Sequence, residues 1–262
     1  MPDEYQTLTY VRDGGVALVR LNRPQRLNAI SPQMVQDLKA VIERVREDLD
    51  VRALVFTGEG RAFSAGADIS ELVKLGGPPD FLRFIERIQA TYNALEDLDR
   101  PTIAAINGLA YGGGCELALA CDLRIMAEAA GIGVPEIKIG VLPGAGGTQR
   151  LAHMLPPAIA KQMVYFGEPL SSADALRHGL VNAVVPHEQV LETALTWARR
   201  LAELPPLALR SAKLLVHAGV NADLKTGVEA ERQAVAFLFG TEDRKEGMQA
   251  FLEKRGPTFS GR

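Results

Sequence analysis

The sequence predicts an α/β fold, and three observations carry the prediction. Short apolar runs of strand length, Ala53–Thr57, Thr102–Ile106 and Leu123–Ala127, alternate along the chain with longer stretches whose apolar residues recur at helical spacing. The runs are bounded by glycine and proline, as buried strands are. A chain of 262 residues, 47% hydrophobic and 23% charged, is long enough to bury a core as one large domain or one domain with an appendage.

Taken in order, Leu8–Val11 and Val16–Leu21 are β-type runs separated by Asp13-Gly14-Gly15, a hairpin signal. Ser31 then reads as the N-cap of a helix with Pro32 at its first position, followed by Val35, Leu38, Val41, Ile42 and Val45 on one face and ending near Asp50. Ala53–Thr57 is a buried strand stopped by Gly58 and Gly60. The next stretch, Arg61–Ser70, is rich in small residues, and Asp68 is placed to cap a helix that starts at Ile69. Asp80–Leu98 carries an apolar stripe of Phe81, Phe84, Ile85, Ile88, Tyr92, Leu95 and Leu98, expected as core or lid. Strand Thr102–Ile106, a glycine turn and strand Leu123–Ala127 follow. From Pro157 the chain is mostly helical, with candidates at Ala158–Phe166, Ser172–Arg177, Glu188–Glu203, Leu207–Ala218, Asp223–Phe239 and Asp243–Glu253, and an extended piece at Val181–Val185. Phe237, Leu238, Phe239 and Phe251 exceed what one lone helix can hide, which points to a partner surface. The domain division expected is a core at 1–203 and a helical C-terminal segment at 204–262.

Charge and composition exclude several function classes. A formal net charge of −3 gives no reason to expect nucleic acid or an anionic membrane as partner. The first residues, MPDEYQT, are acidic and hold no apolar run, so no signal peptide is expected. The apolar stretch Ile103–Leu123 is no membrane span, because Glu116 and Asp122 within it would each cost about 2.5–3.5 kcal/mol near a bilayer centre. Cys115 and Cys121 stand six apart on different faces of a short helical stretch, and are read as small buried thiols in a reducing cytoplasm. The four histidines show no metal spacing, and no Gly-X-Ser-X-Gly elbow exists.

Chemistry concentrates between Ile103 and Arg150. The glycine triplet Gly112–Gly114 runs directly into Cys115-Glu116, and a second glutamate, Glu136, follows twenty residues on. Both carboxylates have apolar neighbours, where an ionised group is costly unless it is paired or used. Gly113 stands at a helix start, where unpaired N–H groups and the helix dipole favour an anion, and Ala67 stands at a second such start. The run Gly144–Gln149 is not a nucleotide loop, since Gln149 occupies the third-glycine position and no Gly-Lys-Ser/Thr follows; it is read as a turn and helix start near the pocket.

The wording of these segments, AINGLAYGGGCELALACDLRI and VPEIKIGVLPGAGGTQRL, with LNRPQRLNAI and AFSAGADISEL upstream and FLEKR downstream, resembles the crotonase superfamily of enoyl-CoA hydratases and isomerases over nearly the whole chain. The resemblance implies a spiral of ββα units with C-terminal helices that build trimers pairing into hexamers. It implies that the backbone N–H groups of Ala67 and Gly113 form an oxyanion hole for the thioester carbonyl of a coenzyme A ester. It assigns Glu116 to the water and Glu136 to the α-proton, and brings Arg26, Ala65, Ala67, Asp68, Ile69, Gly113 and Lys254 to the substrate or its coenzyme A portion, Lys254 from a neighbouring subunit. No cofactor is expected beyond the coenzyme A of the substrate, and no metal.

Isomerases of the superfamily often lack the equivalent of Glu116, so a chain with both glutamates is expected to be a hydratase acting on 2-enoyl-CoA in acyl-CoA degradation. A Δ3-Δ2 isomerase or a branched-chain hydratase is the alternative. A non-catalytic RNA-binding descendant is more remote: the helix from Pro32 to Asp48 carries Lys39, Arg44 and Arg46 against Asp37, Glu43, Glu47 and Asp48, which is no basic stripe.

Overall fold

A computed structural model describes residues 5–262; the first four residues of the stretch read for leader character lie outside it. Two strands, β1 (Leu8–Asp13) and β2 (Val16–Leu21), form the expected antiparallel hairpin. The next element, α1 (Pro32–Glu47), starts as its sequence dictates, with the Ser31 hydroxyl accepting from the Met34 N–H at 3.2 Å and Pro32 at the first helical position. It buries Met34, Val35, Leu38, Val41, Ile42 and Val45, and stops at Glu47 rather than Asp50.

From there the chain repeats one pattern. In each unit a longer apolar strand is followed by a three-residue one and then by helix: β3 (Ala53–Gly58), β4 (Ala62–Ser64), α2 (Ile69–Leu72) and α3 (Pro78–Glu96); β5 (Thr102–Ile106), β6 (Leu109–Tyr111) and α4 (Gly113–Leu119); β7 (Leu123–Ala127), β8 (Gly131–Gly133), α5 (Gly147–Met154) and α6 (Pro157–Phe166). The first strand of each unit joins a larger sheet of order β1-β2-β3-β5-β7-β10, parallel beyond the hairpin, and the second joins a smaller one of order β4-β6-β8-β9. This is the spiral of ββα units that the resemblance implied. The elements that complete the two sheets are β9 (Leu170–Ser171), which pairs antiparallel with β8, α7 (Ser172–Arg177) and β10 (Ala183–Val185).

The strands of the smaller sheet do not show in the residue pattern. They are too short for any periodicity to show, and Ala62–Ser64 falls within the stretch Arg61–Ser70, marked in the sequence only by its small residues. Cys121 also differs from expectation: α4 ends at Leu119, so the two thiols do not share a helix, although both are buried and free. The core lies on both faces of the larger sheet. α8 (Val190–Ala202) crosses β3, β5 and β7 with Val190, Ala194 and Ala198, four apart, buried against them. Beyond it come α9 (Pro206–Gly219), α10 (Leu224–Phe239) and α11 (Glu242–Glu253). Neither α9 nor α10 buries a residue within the chain, and Phe237, Phe239 and Phe251 are 63%, 58% and 82% exposed. No described helix is long and apolar enough to cross a membrane.

Candidate active site

The site is assembled where the helix starts after β4 and β6 meet. A short parallel bridge pairs Ile30 with Ala67: the Ile30 N–H donates to the Gly66 carbonyl at 2.7 Å, and the Asp68 N–H donates to the Ile30 carbonyl at 2.9 Å. These two bonds flank Ala67, so its own N–H points away from the Ile30 backbone and is left without a backbone acceptor. Gly113 is the first residue of α4, and its N–H is one of the donors every helix leaves unpaired. The two amides are close: a methyl built on Gly113 would stand 3.7 Å from the Ala67 nitrogen, and one built on Gly66 would stand 3.4 Å from the Gly113 nitrogen. The hydroxyl of Tyr92, wholly buried on α3, donates to the Gly113 carbonyl at 2.8 Å and fixes the turn from behind.

The loop before α1 supports the other side. Leu27 and Asn28 both adopt left-handed backbone, φ +50° and +55°. Such strain persists only where surroundings over-determine it, and here the Asn28 side chain donates to the Glu59 and Ala62 carbonyls at 2.9 and 2.8 Å. The Leu27 carbonyl in turn accepts from the Ala65 N–H at 2.9 Å. The segment that carries Ala67 is therefore held to LNRPQRLNAI by backbone bonds.

Glu116 lies one turn into α4 and is 2% exposed. Its Oε1 accepts from two backbone N–H groups, Ala145 at 2.7 Å and Gly147 at 2.8 Å, at the start of α5. Its Oε2 accepts no hydrogen bond among the described residues. Burial raises the pKa of this carboxyl, and the two amides and the Arg150 guanidinium oppose the rise. The sequence had placed Gly144–Gln149 near the pocket; the structure shows that its backbone cradles a glutamate. A glycine-rich run opening a helix was the available signal, since such a start offers N–H groups to any anion.

Glu136 sits on a 3-10 turn, Pro135–Ile139. Its Oε1 packs on Gly112, whose φ of +51° suits glycine, and a methyl there would come within 2.8 Å of that oxygen. Its Oε2 is buried and without a partner. Lys138 lies on the same turn but forms no ion pair with Glu136 among the described residues. Burial, with the nearby Glu116 charge adding to it, pushes the Glu136 carboxyl up to about 7. One carboxylate is thus held by two amides from across the fold, while the other keeps a buried oxygen without a partner.

The structure joins Ala67, Gly113, Glu116 and Glu136 through these contacts and sets Ala65 beside them. Asp68 departs from expectation. It occupies the N-cap position of α2 without capping it, and its carboxylate instead pairs with Arg23 at 2.9 Å and accepts from the Ser70 hydroxyl at 2.6 Å. Ile69 and Arg26 are exposed, Arg26 at the end of a 3-10 turn beside the Leu27 loop. Lys254 is exposed at the C-terminal end of α11, with φ +56°, and bonds through its side chain to none of these residues.

Comparison with known proteins bears on what this arrangement serves. The model of the family described as enoyl-CoA hydratase/isomerase matches residues 12–262. A probable mitochondrial enoyl-CoA hydratase of Dictyostelium discoideum is 41% identical over 98% of this chain and 91% of its own length. A short-chain-enoyl-CoA hydratase of Clostridium acetobutylicum is 38% identical over 96% and 97%. Among solved structures, an enoyl-CoA hydratase subunit of Geobacillus kaustophilus superposes with a TM-score of 0.94 at 44% identity, covering 99% of this chain and all of that one.

Proposed function

This chain belongs to the enoyl-CoA hydratase/isomerase family, and we infer that it is an enoyl-CoA hydratase whose two glutamates divide the addition of water across the 2,3-double bond of a 2-enoyl-CoA thioester. The observation that carries the division of labour is their contrasting environment. Glu116 has one oxygen occupied by two amides and the other free, which suits an ionised base aimed at a water. Glu136 has a pKa pushed up to about 7, which suits an acid that keeps its proton in a substantial share of molecules near neutral pH.

The steps follow. The Ala67 and Gly113 amides take the thioester oxygen and draw electron density toward it, leaving the β-carbon electrophilic. Water at Glu116 Oε2 adds its oxygen to the β-carbon and gives its proton to that carboxylate, while Glu136 delivers its proton to the α-carbon. The product is the 3-hydroxyacyl thioester, and proton exchange with solvent resets the pair. No cofactor enters beyond the coenzyme A of the substrate. For the acyl chain, an apolar cavity of about 940 Å³ bordering the Gly144–Gly147 turn, lined by Phe81, Leu82, Ile85, Val141 and Leu142 among others, is the assigned place. Exposed apolar residues on α10 and α11 support a homo-oligomer, for which a hexamer built as a dimer of trimers is the proposed form. The two free, buried thiols accord with the cytoplasmic location we assign.

The test is a panel of 2-enoyl-CoA esters of increasing, and of branched, chain length, followed by loss of the conjugated enoyl absorbance. Hydration of at least one member is expected. A panel in which none reacts, while a 3-enoyl-CoA is isomerised, transfers the assignment to the isomerase reading.

A further inference from the structure

One face of α3 runs behind the loop that holds Glu116. Gln89, Asn93 and Glu96 stand four and three residues apart on it and so line up along the helix. The Gln89 amide donates to the Gly144 carbonyl at 2.6 Å. Asn93 Oδ1 and Glu96 Oε2 accept from Arg150 Nη2 at 2.9 and 2.5 Å, and Glu96 Oε2 also accepts from Arg150 Nε at 3.1 Å. Arg150 is only 8% exposed, and its remaining nitrogen, Nη1, donates to the Ala145 carbonyl at 3.0 Å. That same Ala145 donates its N–H to Glu116 Oε1. A planar guanidinium with a partner at each of its three nitrogens holds a fixed orientation, which a lysine on its flexible stem would not.

We propose that Arg150, clamped by Glu96 and Asn93 of α3, is a positioning residue for hydration: it pins the Ala145–Gly147 turn so that its two amides lock one oxygen of Glu116 and leave the other aimed at the water. The proposal rests on the assignment of Glu116 to the water. Arg150 touches no reacting atom; it acts through the turn. The chain of contacts runs from α3 through Arg150 to the Ala145 peptide and then to Glu116, each link a hydrogen bond between buried or half-buried groups. Because Glu96 keeps partial access to solvent, 33% of its side chain, loss of Arg150 leaves a carboxylate that water can still serve, so the fold is expected to survive the change.

The experiment compares wild type, Arg150→Met, Arg150→Lys, Glu96→Gln and Glu116→Gln for hydration of a reactive 2-enoyl-CoA, across pH, with thermal melts alongside. Arg150→Met and Glu96→Gln are expected to lower kcat on the order of ten- to hundredfold, the scale of a small misplacement of a catalytic group, with KM changed less than about twofold. In Arg150→Met the acid limb of the pH profile is expected to move to higher pH, because the cation that favours ionised Glu116 is gone. Arg150→Lys keeps that charge, so the limb is expected to stay while kcat is only partly restored. Wild-type kcat in both Arg150→Lys and Glu96→Gln overturns the proposal, as does a fall of kcat in step with melting temperature and with an unmoved acid limb. A readout that needs no substrate separates this failure from failure of the functional reading: the Glu116 carboxyl, followed by carbon NMR, should titrate at higher pH in Arg150→Met than in wild type. An inert wild type, or Glu116→Gln hydrating normally, sinks the assignment of Glu116 itself, and an unmoved titration sinks the brace.

Discussion

Two glutamates in one site differ because of what surrounds each oxygen. Glu116 is the more buried, yet it accepts two backbone N–H groups; Glu136 has a buried oxygen that accepts none. The environments of the two carboxyls differ as the proposed base and acid require, and pH should reveal the difference. On the proposed roles hydration needs Glu136 protonated, so kcat/KM should fall as pH rises through about 7, and needs Glu116 ionised, so it should also fall on the acid side. The two limbs belong to the coupled pair, and Glu136→Gln should abolish activity rather than shift a limb. Mutation should divide the roles further. Both Glu116→Gln and Glu136→Gln are expected to lose hydration by several orders of magnitude, with the double mutant little worse than either. Migration of a double bond requires proton shuttling but no water. Any isomerase activity of the wild type should therefore survive Glu116→Gln and vanish in Glu136→Gln, measured on a 3-enoyl-CoA.

At the scale of the element, the decisive feature is the start of α4. Its first residue supplies a donor that the helix itself cannot use, and the Tyr92 hydroxyl holds the following carbonyl in place. Gly113→Pro tests this directly. Proline is tolerated at the first position of a helix, where its missing N–H costs no helical bond, so the folded state should persist, as a thermal melt would report. What disappears is the proposed donor to the thioester oxygen, and kcat should fall about a hundred- to a thousandfold. A folded Gly113→Pro enzyme with near-normal turnover would remove Gly113 from the oxyanion site. The facing donor, Ala67, owes its freedom to a bridge formed by a different segment, the strained loop ahead of α1. Neither helix start would make the site alone.

Across the whole molecule, the spiral stacks its ββα units so that the longer strands make one sheet and the shorter ones a second, and the helix starts of successive units converge. The last three helices stand apart from this logic. With no buried residue in α9 or α10, and with Phe237, Phe239 and Phe251 largely in solvent, their apolar faces have too little to pack against within one chain. Light scattering after gel filtration should therefore report an assembly larger than the monomer. Phe251→Glu, which places a charge on the most exposed of the three aromatic rings, should shift it toward smaller species, and an unchanged mass would relocate the interface elsewhere.

Much of this is legible in the sequence. The hairpin at Asp13-Gly14-Gly15, the Ser31-Pro32 helix start, the strands Thr102–Ile106 and Leu123–Ala127 and helix Ser172–Arg177 follow from local rules of turn chemistry, capping and periodicity, which act within a few residues. Motif wording pointed to Ala67, Gly113, Glu116 and Glu136. The smaller sheet was not legible, because its strands, two or three residues long, exist only by pairing with partners tens of residues away. Asp68 looked like a cap and became an ion-pair partner of Arg23, forty-five residues distant in sequence. The same limit governed the site. Residue types and helix starts are properties of the chain, whereas the locking of Glu116 by Ala145 and Gly147, the orphaned oxygen of Glu136 and the clamp of Arg150 against α3 depend on which distant segments the fold brings within hydrogen-bonding distance. Sequence determined which groups could do the chemistry; tertiary structure decided which oxygen of each is free to do it, because donors and burial are supplied across the fold and not along the chain.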